Sequence, residues 1–503
     1  MTHAGKKTVT VQGNHVSEIE NCLNLCHEGF NQLLANVLKG DPQEAHTMEA
    51  SIFKQLLKLG LLLMQLFFAN QNKGNYGETI ETARGTAKRG RLSEKSYFSI
   101  FGKFKISRYL YHIGDNSFAP LDIVLNLPVR CYSYFLSEFA NLLNINGAYG
   151  NASELLKKFF NVRLSVSALE TISEESSDLY EDYYELKNSL PKPIKEEDFT
   201  VVSFDEKGVP MIKKEAAEII ARPGKGEKKQ KKKEALVGVK YTVNANIRTA
   251  EQVATNLVFP DKKDAKQSDQ TPRAQKIRYT ASVEKPKKEV MNEFFEHVKD
   301  ENFTADNPLV CVMDGALSLW HIFDKIFINI KHIVRILDII HVLEYIWLIA
   351  HVKFEEGDDK CKEYVYKKLL LILQGKVASY IMELQKEMLE GKWTKSQTEK
   401  FEKVIKYFKN HKQYMKYDQY LSQGYPIGSG IVESACSHVV KDRMEMSGAR
   451  WGIEGAESIL RLRSVSKSSD WDGYWKFFTT NAKNNIFLTD EYNLLEVKEK
   501  LVA

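Results

Sequence analysis

FTVVSFD (Phe199–Asp205) and PLVCVMD (Pro308–Asp314) decide the fold. Each is a short, nearly unbroken apolar run closed by one acid. That pattern predicts a strand buried on both faces, with a polar group at its C-terminal end. HIVRILD (His332–Asp338) repeats it. Working outward, ALVGVKYTVNA (Ala235–Ala245) reads as a second strand and QVATNLVF (Gln252–Phe259) as a third. A polar excursion, PDKKDAKQSDQTPRA, then leads to an amphipathic helix over Glu284–Val298, and LSLWHIFDKIF reads as another helix. From His341 to about Tyr420 the spacing is helical throughout, and YPIGSGIVES (Tyr425–Ser434) is a glycine turn feeding one more helix.

Three strands, a helix, a strand, a helix, a strand and a terminal helix are the order of an α/β, ribonuclease-H-like core. The expected division has this core over 199–341, an all-helical insertion over 342–422, the rest of the core with Glu433 over 423–480, and a C-terminal tail over 481–503. SLPKPIKEED (Ser189–Asp198) is the linker before it. Upstream, 1–95 is expected to be helical, with Glu44–Asn72 as its clearest helix and RGTAKRGR (Arg84–Arg91) as a loop. Residues 96–190 should hold a small hairpin, YFSIFGKFKISRYLY, turning near Gly102. A helix pair follows over Asn151–Tyr180, N-capped by Asn151 and Ser165. The pair reads either as a helix-turn-helix that enters a DNA groove or as an ordinary helical hairpin, since its second helix is acidic.

The composition, 503 residues with 43% hydrophobic and 11% aromatic content, excludes global disorder and calls for several domains. Net charge is only +5 but is clustered. RPGKGEKKQKKK (Arg222–Lys233) is either a polyanion footprint or a solvated loop. Its Lys228, Lys229, Lys231, Lys232 and Lys233 would clamp phosphates in a salt-sensitive, sequence-neutral way. Six scattered cysteines form no zinc or disulfide pattern, which fits a reducing cytoplasm, and the N-terminus has no secretory signal. No membrane partner is expected. Leu59–Ala69 is too short an apolar run to span a bilayer, and Ile333–Val352 carries Arg335, Asp338, His341 and Glu344.

In the expected sheet, Asp205 and Asp314 end adjacent strands and face the crevice where α/β sheets bind ligands. Glu433 follows a turn that could aim it there. Acids at strand ends also commonly cap turns. If three carboxylates converge, their mutual repulsion calls for a cation. Hard oxygen ligands suit Mg²⁺, and two such ions can serve in-line phosphoryl displacement.

FDEKGVPM, MDGALSLW, LDIIHVLE and YPIGSGIVESACSHVVKDRMEMSGARW, with GAESILRLRS and WDGYW, resemble in order the blocks of bacterial insertion-sequence transposases of the ISKra type. These are Asp-Asp-Glu enzymes, distantly similar to Mutator-like transposases. The resemblance covers about 200–475 and extends weakly into 97–185. It implies Asp205, Asp314 and Glu433 as catalytic acids holding two Mg²⁺ or Mn²⁺ ions, with Asp338 and His341 as an auxiliary Asp-x-x-His pair. It further implies DNA as partner (terminal inverted repeats and target), strand cleavage with 3′-hydroxyl strand transfer, a homo-oligomeric synaptic assembly and a nucleoid-associated cytoplasmic location. A nuclease or resolvase without strand transfer, and a transposase-derived DNA-binding protein, remain as alternatives. Lys441, Arg443 and Arg450 would either meet phosphates beside the site or form a solvated face. Trp451 reads as core, and Gly428 and Gly430 as backbone requirements for a tight turn.

Overall fold

The computed structural model describes residues 4–40, 42–82, 85–190, 197–217, 232–260, 271–355 and 357–487. The protein is mixed α/β, with two sheets, and divides into two units: Met1–Tyr183 with Asp472–Ala503, and Tyr184–Trp471.

The first unit opens with two long helices, Ala4–Leu38 and Ala45–Ala69. The second is longer than its apolar core suggests. At 25 residues it is, among the described residues, the one helix long and apolar enough to cross a membrane by length and composition. A four-stranded antiparallel sheet follows, β1 (Thr79–Thr82), β2 (Gly85–Ser99), β3 (Gly102–Ile113) and β4 (Asn116–Phe118), in sequential order. The hairpin turns at Gly102 as expected, but it is longer. The segment read as a loop is strand from Gly85 onward, paired with β3 through a bulge between Arg89 and Leu92. Position 95, an expected boundary, therefore lies inside β2. Buried Tyr97, Phe104 and Ile106 pack with Phe68 under this sheet.

Helices Tyr134–Asn144, Tyr149–Phe160 and Val166–Ser177 enclose a small core of Leu136, Ala140, Ala152, Leu156, Leu169 and Ile172. Ser165 does cap its helix, accepting from the Ala168 N–H at 3.1 Å. Asn151 does not, because the preceding helix already starts at Tyr149. The C-terminal segment rejoins this unit. The Tyr474 hydroxyl donates to the Ser176 carbonyl at 2.5 Å, and Asn126 Nδ2 to the Thr479 carbonyl at 2.7 Å.

The second unit is built on a five-stranded sheet: β5 (Phe199–Pro210), β6 (Lys232–Val243), β7 (Gln275–Ser282), β8 (Leu309–Met313) and β9 (Ile333–Leu337). The spatial order is β7-β6-β5-β8-β9. β7, β6 and β5 are antiparallel neighbours, whereas β5, β8 and β9 run parallel. The expected third strand over Gln252–Phe259 is instead the helix Ala250–Val258. Thr249 and Gln252 form a capping box there, which commits the segment to a helix, and Val253, Ala254 and Val258 are its buried face. The true third strand, QKIRYTAS, is polar at its start and buried from Arg278 on.

Helix Lys287–Val298 covers one face, where Phe294 meets Phe204 edge-to-face with centroids 5.2 Å apart. Gly238 makes room for that pair, since a Cβ there would lie 2.3 Å from Phe294 Cε2. After β9 come Ile339–Lys353, Asp359–Leu373, Val377–Glu390, Lys395–His411 and Tyr417–Ser422. The chain then returns through Gly430–Ala435, a π turn over Cys436–Lys441 and Ile453–Lys467.

Gly238→Ala should destabilise the protein by about 1–3 kcal/mol through overpacking against two ring edges. Thermal or urea unfolding checks this, and an unchanged midpoint would show that Phe294 yields freely.

Candidate active site

Parallel pairing sets the site. Val202 on β5 pairs with Cys311 on β8, which pairs with Arg335 on β9. Asp205, Asp314 and Asp338 each lie three residues beyond one of these partners. An equal offset on neighbouring strands puts the three acids at one level and on one face of the sheet. The Asp338 N–H still donates to the Met313 carbonyl at 2.9 Å, so the register of β8 and β9 holds up to Asp314 and Asp338. β5 does not end at Asp205, as the sequence suggested. It continues to Pro210 along β6, while its pairing with β8 stops at Val202.

The return segment is fastened to this edge. The Ile339 N–H donates to the Ile427 carbonyl at 2.9 Å, and the Tyr417 hydroxyl to the Leu337 carbonyl at 2.6 Å. Ser429 then reaches both acids, contacting Asp338 Oδ2 and lying 2.9 Å from Glu433 Oε1. Neither Gly428 nor Gly430 takes a left-handed conformation. A Cβ on Gly428 would only graze Asp338 Oδ1 at 3.8 Å, and one on Gly430 would meet nothing within 4 Å. The backbone requirement for glycine expected at these two positions is therefore not seen. Helix Gly430–Ala435 lies on β5 and β6, and one turn on, the Cys436 thiol donates to Asp205 Oδ2 at 3.3 Å.

Ligand atoms of Asp338, His341 and Glu433 lie within 4.8 Å of one another, so this group could hold a metal ion. Two carboxylates and an imidazole suit a divalent cation such as Mn²⁺ or Mg²⁺. Asp205 and Asp314 lie beside this group rather than in it. Both Asp314 and His341 act on the charge of Asp205.

Burial and crowding shape the electrostatics. Asp338 is fully buried and N-caps its helix, accepting from the Ile340 N–H at 2.7 Å. Burial first, then the Glu433 carboxylate, pushes its pKa up to about 6 against the pull of the Ser429 and Ile340 hydrogen bonds. One hydroxyl carries one proton, so Ser429 can satisfy both acids only if one of them is protonated or a cation screens them. Asp205 is raised chiefly by burial and further by Asp314, with the Glu206 N–H, Cys436 and His341 opposing. Burial and Asp205 hold the Cys436 thiol well above the usual range.

The helical excursion buttresses the second acid. A Cβ on Gly315 would lie 2.3 Å from Tyr407 Cε2, so the residue after Asp314 must be small. His411 bridges the Gly315 carbonyl at 3.0 Å and the Tyr407 carbonyl at 2.7 Å, and Tyr407 stacks on Tyr345 at 3.8 Å. Trp320 donates to the Asp314 carbonyl at 2.8 Å and stacks on Tyr414, which is the packing role expected of it. Sequence reading missed Ser429, Cys436, Tyr407 and His411. The Asp-Gly dipeptide at 314–315 was the available signal of a close approach.

The basic residues separate. Lys441 and Arg450 are exposed. Lys232 pairs with Glu445 at 2.5 Å, and Lys233 sits opposite Val209. Lys228, Lys229 and Lys231 lie outside the described residues. Arg443 is not on the surface: it is 2% exposed, with its guanidinium 4.6 Å from the Trp451 ring centroid. Trp451 is core and donates to the Met444 carbonyl at 2.9 Å. Lys207, two residues past Asp205, acts on Cys436 and Glu445 and was not foreseen. Glu457 is taken up by the end of β7, accepting from the Val283 and Glu284 N–H groups at 2.9 and 3.1 Å.

No family model matches the chain, and no curated protein matches it. Among solved structures, a Drosophila P element transposase strand transfer complex aligns over 70% of this chain and 81% of that one at 12% identity, with a TM-score of 0.23. At that score the likeness carries no argument.

Two predictions follow from the geometry. Because the Asp338 pKa is raised in the fold, its ionisation opposes folding: the protonated form's advantage is full below about pH 4 and lost as pH rises through about 6. Asp338→Asn keeps the cap and removes the charge. In metal-free protein it should therefore be more stable than wild type at pH 7, by about 1–3 kcal/mol, with the gap closing toward pH 4. Urea melts at both pH values test this. Separately, His341→Ala and Glu433→Gln should each weaken Mn²⁺ binding at least about tenfold by calorimetry, and unchanged affinity in both would remove the metal from this cluster.

Proposed function

We propose that this chain is an Asp-Asp-Glu DNA transposase of the ISKra type, with a ribonuclease-H-like core. The observation that carries this reading is the level row of Asp205, Asp314 and Asp338, onto which the return segment delivers Glu433. The strand order supports the core: an antiparallel meander of three strands extended by two parallel ones beyond the first. The four sequence blocks that resemble the ISKra type supply these same residues.

Asp205, Asp314 and Glu433 would hold the divalent ions, and Asp338 and His341, whose ligand atoms lie within 4.8 Å of Glu433's, would contribute to the same centre. The donor set fits, because a cation stabilises carboxylates such as Asp205 and Asp338, whose pKa values are raised by burial first and then by a neighbouring acid. Bound there, such ions activate an attacking oxygen and neutralise a leaving one. The chain's own residues do the rest. Ser429 spaces Asp338 from Glu433, and Tyr407 and His411 fix the turn after Asp314. Lys207, Lys441 and Arg450 would meet backbone phosphates around the cut strand. In this reading, hydrolysis of a phosphodiester at each element end frees a 3′ hydroxyl. That hydroxyl then attacks a target phosphodiester, exchanging one P–O bond for another.

The test uses labelled duplexes carrying the ends of the encoding element, with Mg²⁺ or Mn²⁺. Asp205→Ala, Asp314→Ala and Glu433→Ala should each keep end binding within severalfold and lose cleavage by about a thousandfold or more. Pre-cleaved ends should be joined to target DNA by wild type. Near-normal cleavage by the Glu433 variant overturns the third acid, and cleavage without joining makes the protein a nuclease.

A further inference from the structure

Among the described residues of the N-terminal helix pair only Cys26, Phe68 and Ala69 are buried. On the first helix, Ile19, Cys22, Cys26, Gly29 and Leu33 alternate at three- and four-residue spacing and are the more buried seam. Gly29 lies against the second helix, where a Cβ would be 3.4 Å from Leu62 Cδ1. A second stripe runs alongside: Val16, Leu23, Phe30 and Val37, seven residues apart, with Leu34 between. These are 52%, 41%, 49%, 49% and 42% exposed. The second helix has its own stripe of Phe53, Leu56, Leu63 and Phe67, between 44% and 50% exposed. A seven-residue apolar repeat faces a partner helix of the same period. Each helix here has one such seam engaged and one open.

We propose that this hairpin docks on the same hairpin of a second copy of the chain, closing a four-helix bundle. Charge sets the pairing. Between positions 16 and 38 the first helix has Glu18, Glu20 and Glu28 and no Lys or Arg, whereas the second has Lys54 and Lys58 against Glu49. The first helix of one copy therefore lies on the second helix of the other, and a two-fold axis makes both contacts at once. The area suffices: nine large apolar side chains, each about half exposed, offer on the order of 750 Å² per copy, close to what each partner contributes to a stable interface. A bilayer fits worse. The apolar surface is a stripe rather than a full girdle, Glu20 and His27 border it on the first helix, and two lysines sit in the middle of the second. The proposal does not depend on the transposase reading.

Sedimentation of the full-length protein tests it, comparing wild type with the double variant Phe30→Glu, Leu63→Glu. Wild type should run at twice the chain mass and the variant at once the chain mass, with circular dichroism unchanged. A second measurement needs no variant: raising wild-type concentration should slow hydrogen exchange over 16–37 and 53–67. A wild type that stays at single-chain mass, a variant that stays dimeric, or exchange that ignores concentration overturns the proposal. So does flotation of wild type, but not of the variant, with phosphatidylglycerol vesicles.

Discussion

The hydroxyl of Ser429 lies between the carboxylates of Asp338 and Glu433, and the catalytic reading depends on that bridge. Asp338 ends β9 and Glu433 belongs to a helix some ninety residues later, so nothing local holds them together. The intervening helices could have carried Glu433 anywhere. They do not, because the returning chain is tied to the end of β9 by the Ile339 N–H to Ile427 carbonyl bond, by Tyr417 and by Ser429. Loop-closure entropy grows only slowly with length, so an excursion of this size adds little cost once its ends are fastened.

The same bridge concentrates negative charge in a buried place. Asp205, Asp314, Asp338 and Glu433 lie at one edge of one sheet, with His341 among them. Burial raises the pKa of both Asp205 and Asp338, and a neighbouring carboxylate, Asp314 for the first and Glu433 for the second, raises it further. Such an arrangement opposes folding of the metal-free protein. The fold tolerates it because Asp338 also caps a helix, Asp205 accepts from a backbone N–H and a thiol, and the strand residues leading to the acids, among them Val202, Phe204, Val312, Met313, Ile336 and Leu337, are buried. A divalent ion would turn the same crowding into binding energy.

Much of the core was legible in the sequence because its strands announce themselves. FTVVSFD, PLVCVMD and HIVRILD are apolar on both faces and end in acids, and each is a strand leading to its acid. β7 was not legible, since Gln275, Lys276 and Arg278 break its apolar run, while the more apolar QVATNLVF drew the assignment. There a local signal, the Thr249–Gln252 capping box, outweighed the run of β-favouring residues. Asp314 and Asp338 were legible as following strand ends, whereas β5 runs on past Asp205 to Pro210. The common level of the three acids was not legible, because register is a property of paired strands. The burial of Arg443 was equally hidden: a cation in a basic-looking segment reads as surface until Trp451 is seen under it.

The helical excursion is best understood from the site outward. Tyr407 and His411, on helix Lys395–His411, close over the Gly315 turn and leave no room for a side chain after Asp314. Tyr417, a few residues later, holds the last carbonyl of β9. Two adjacent strand ends, those of β8 and β9, are thus clamped by one short stretch of the insertion, and the chain then leads directly into the turn that delivers Glu433. Substitutions deep in this region would move Asp314 and Asp338 relative to each other without touching either acid. The excursion is therefore part of the candidate site's geometry, because it fixes the two strand ends from which Asp314 and Asp338 follow.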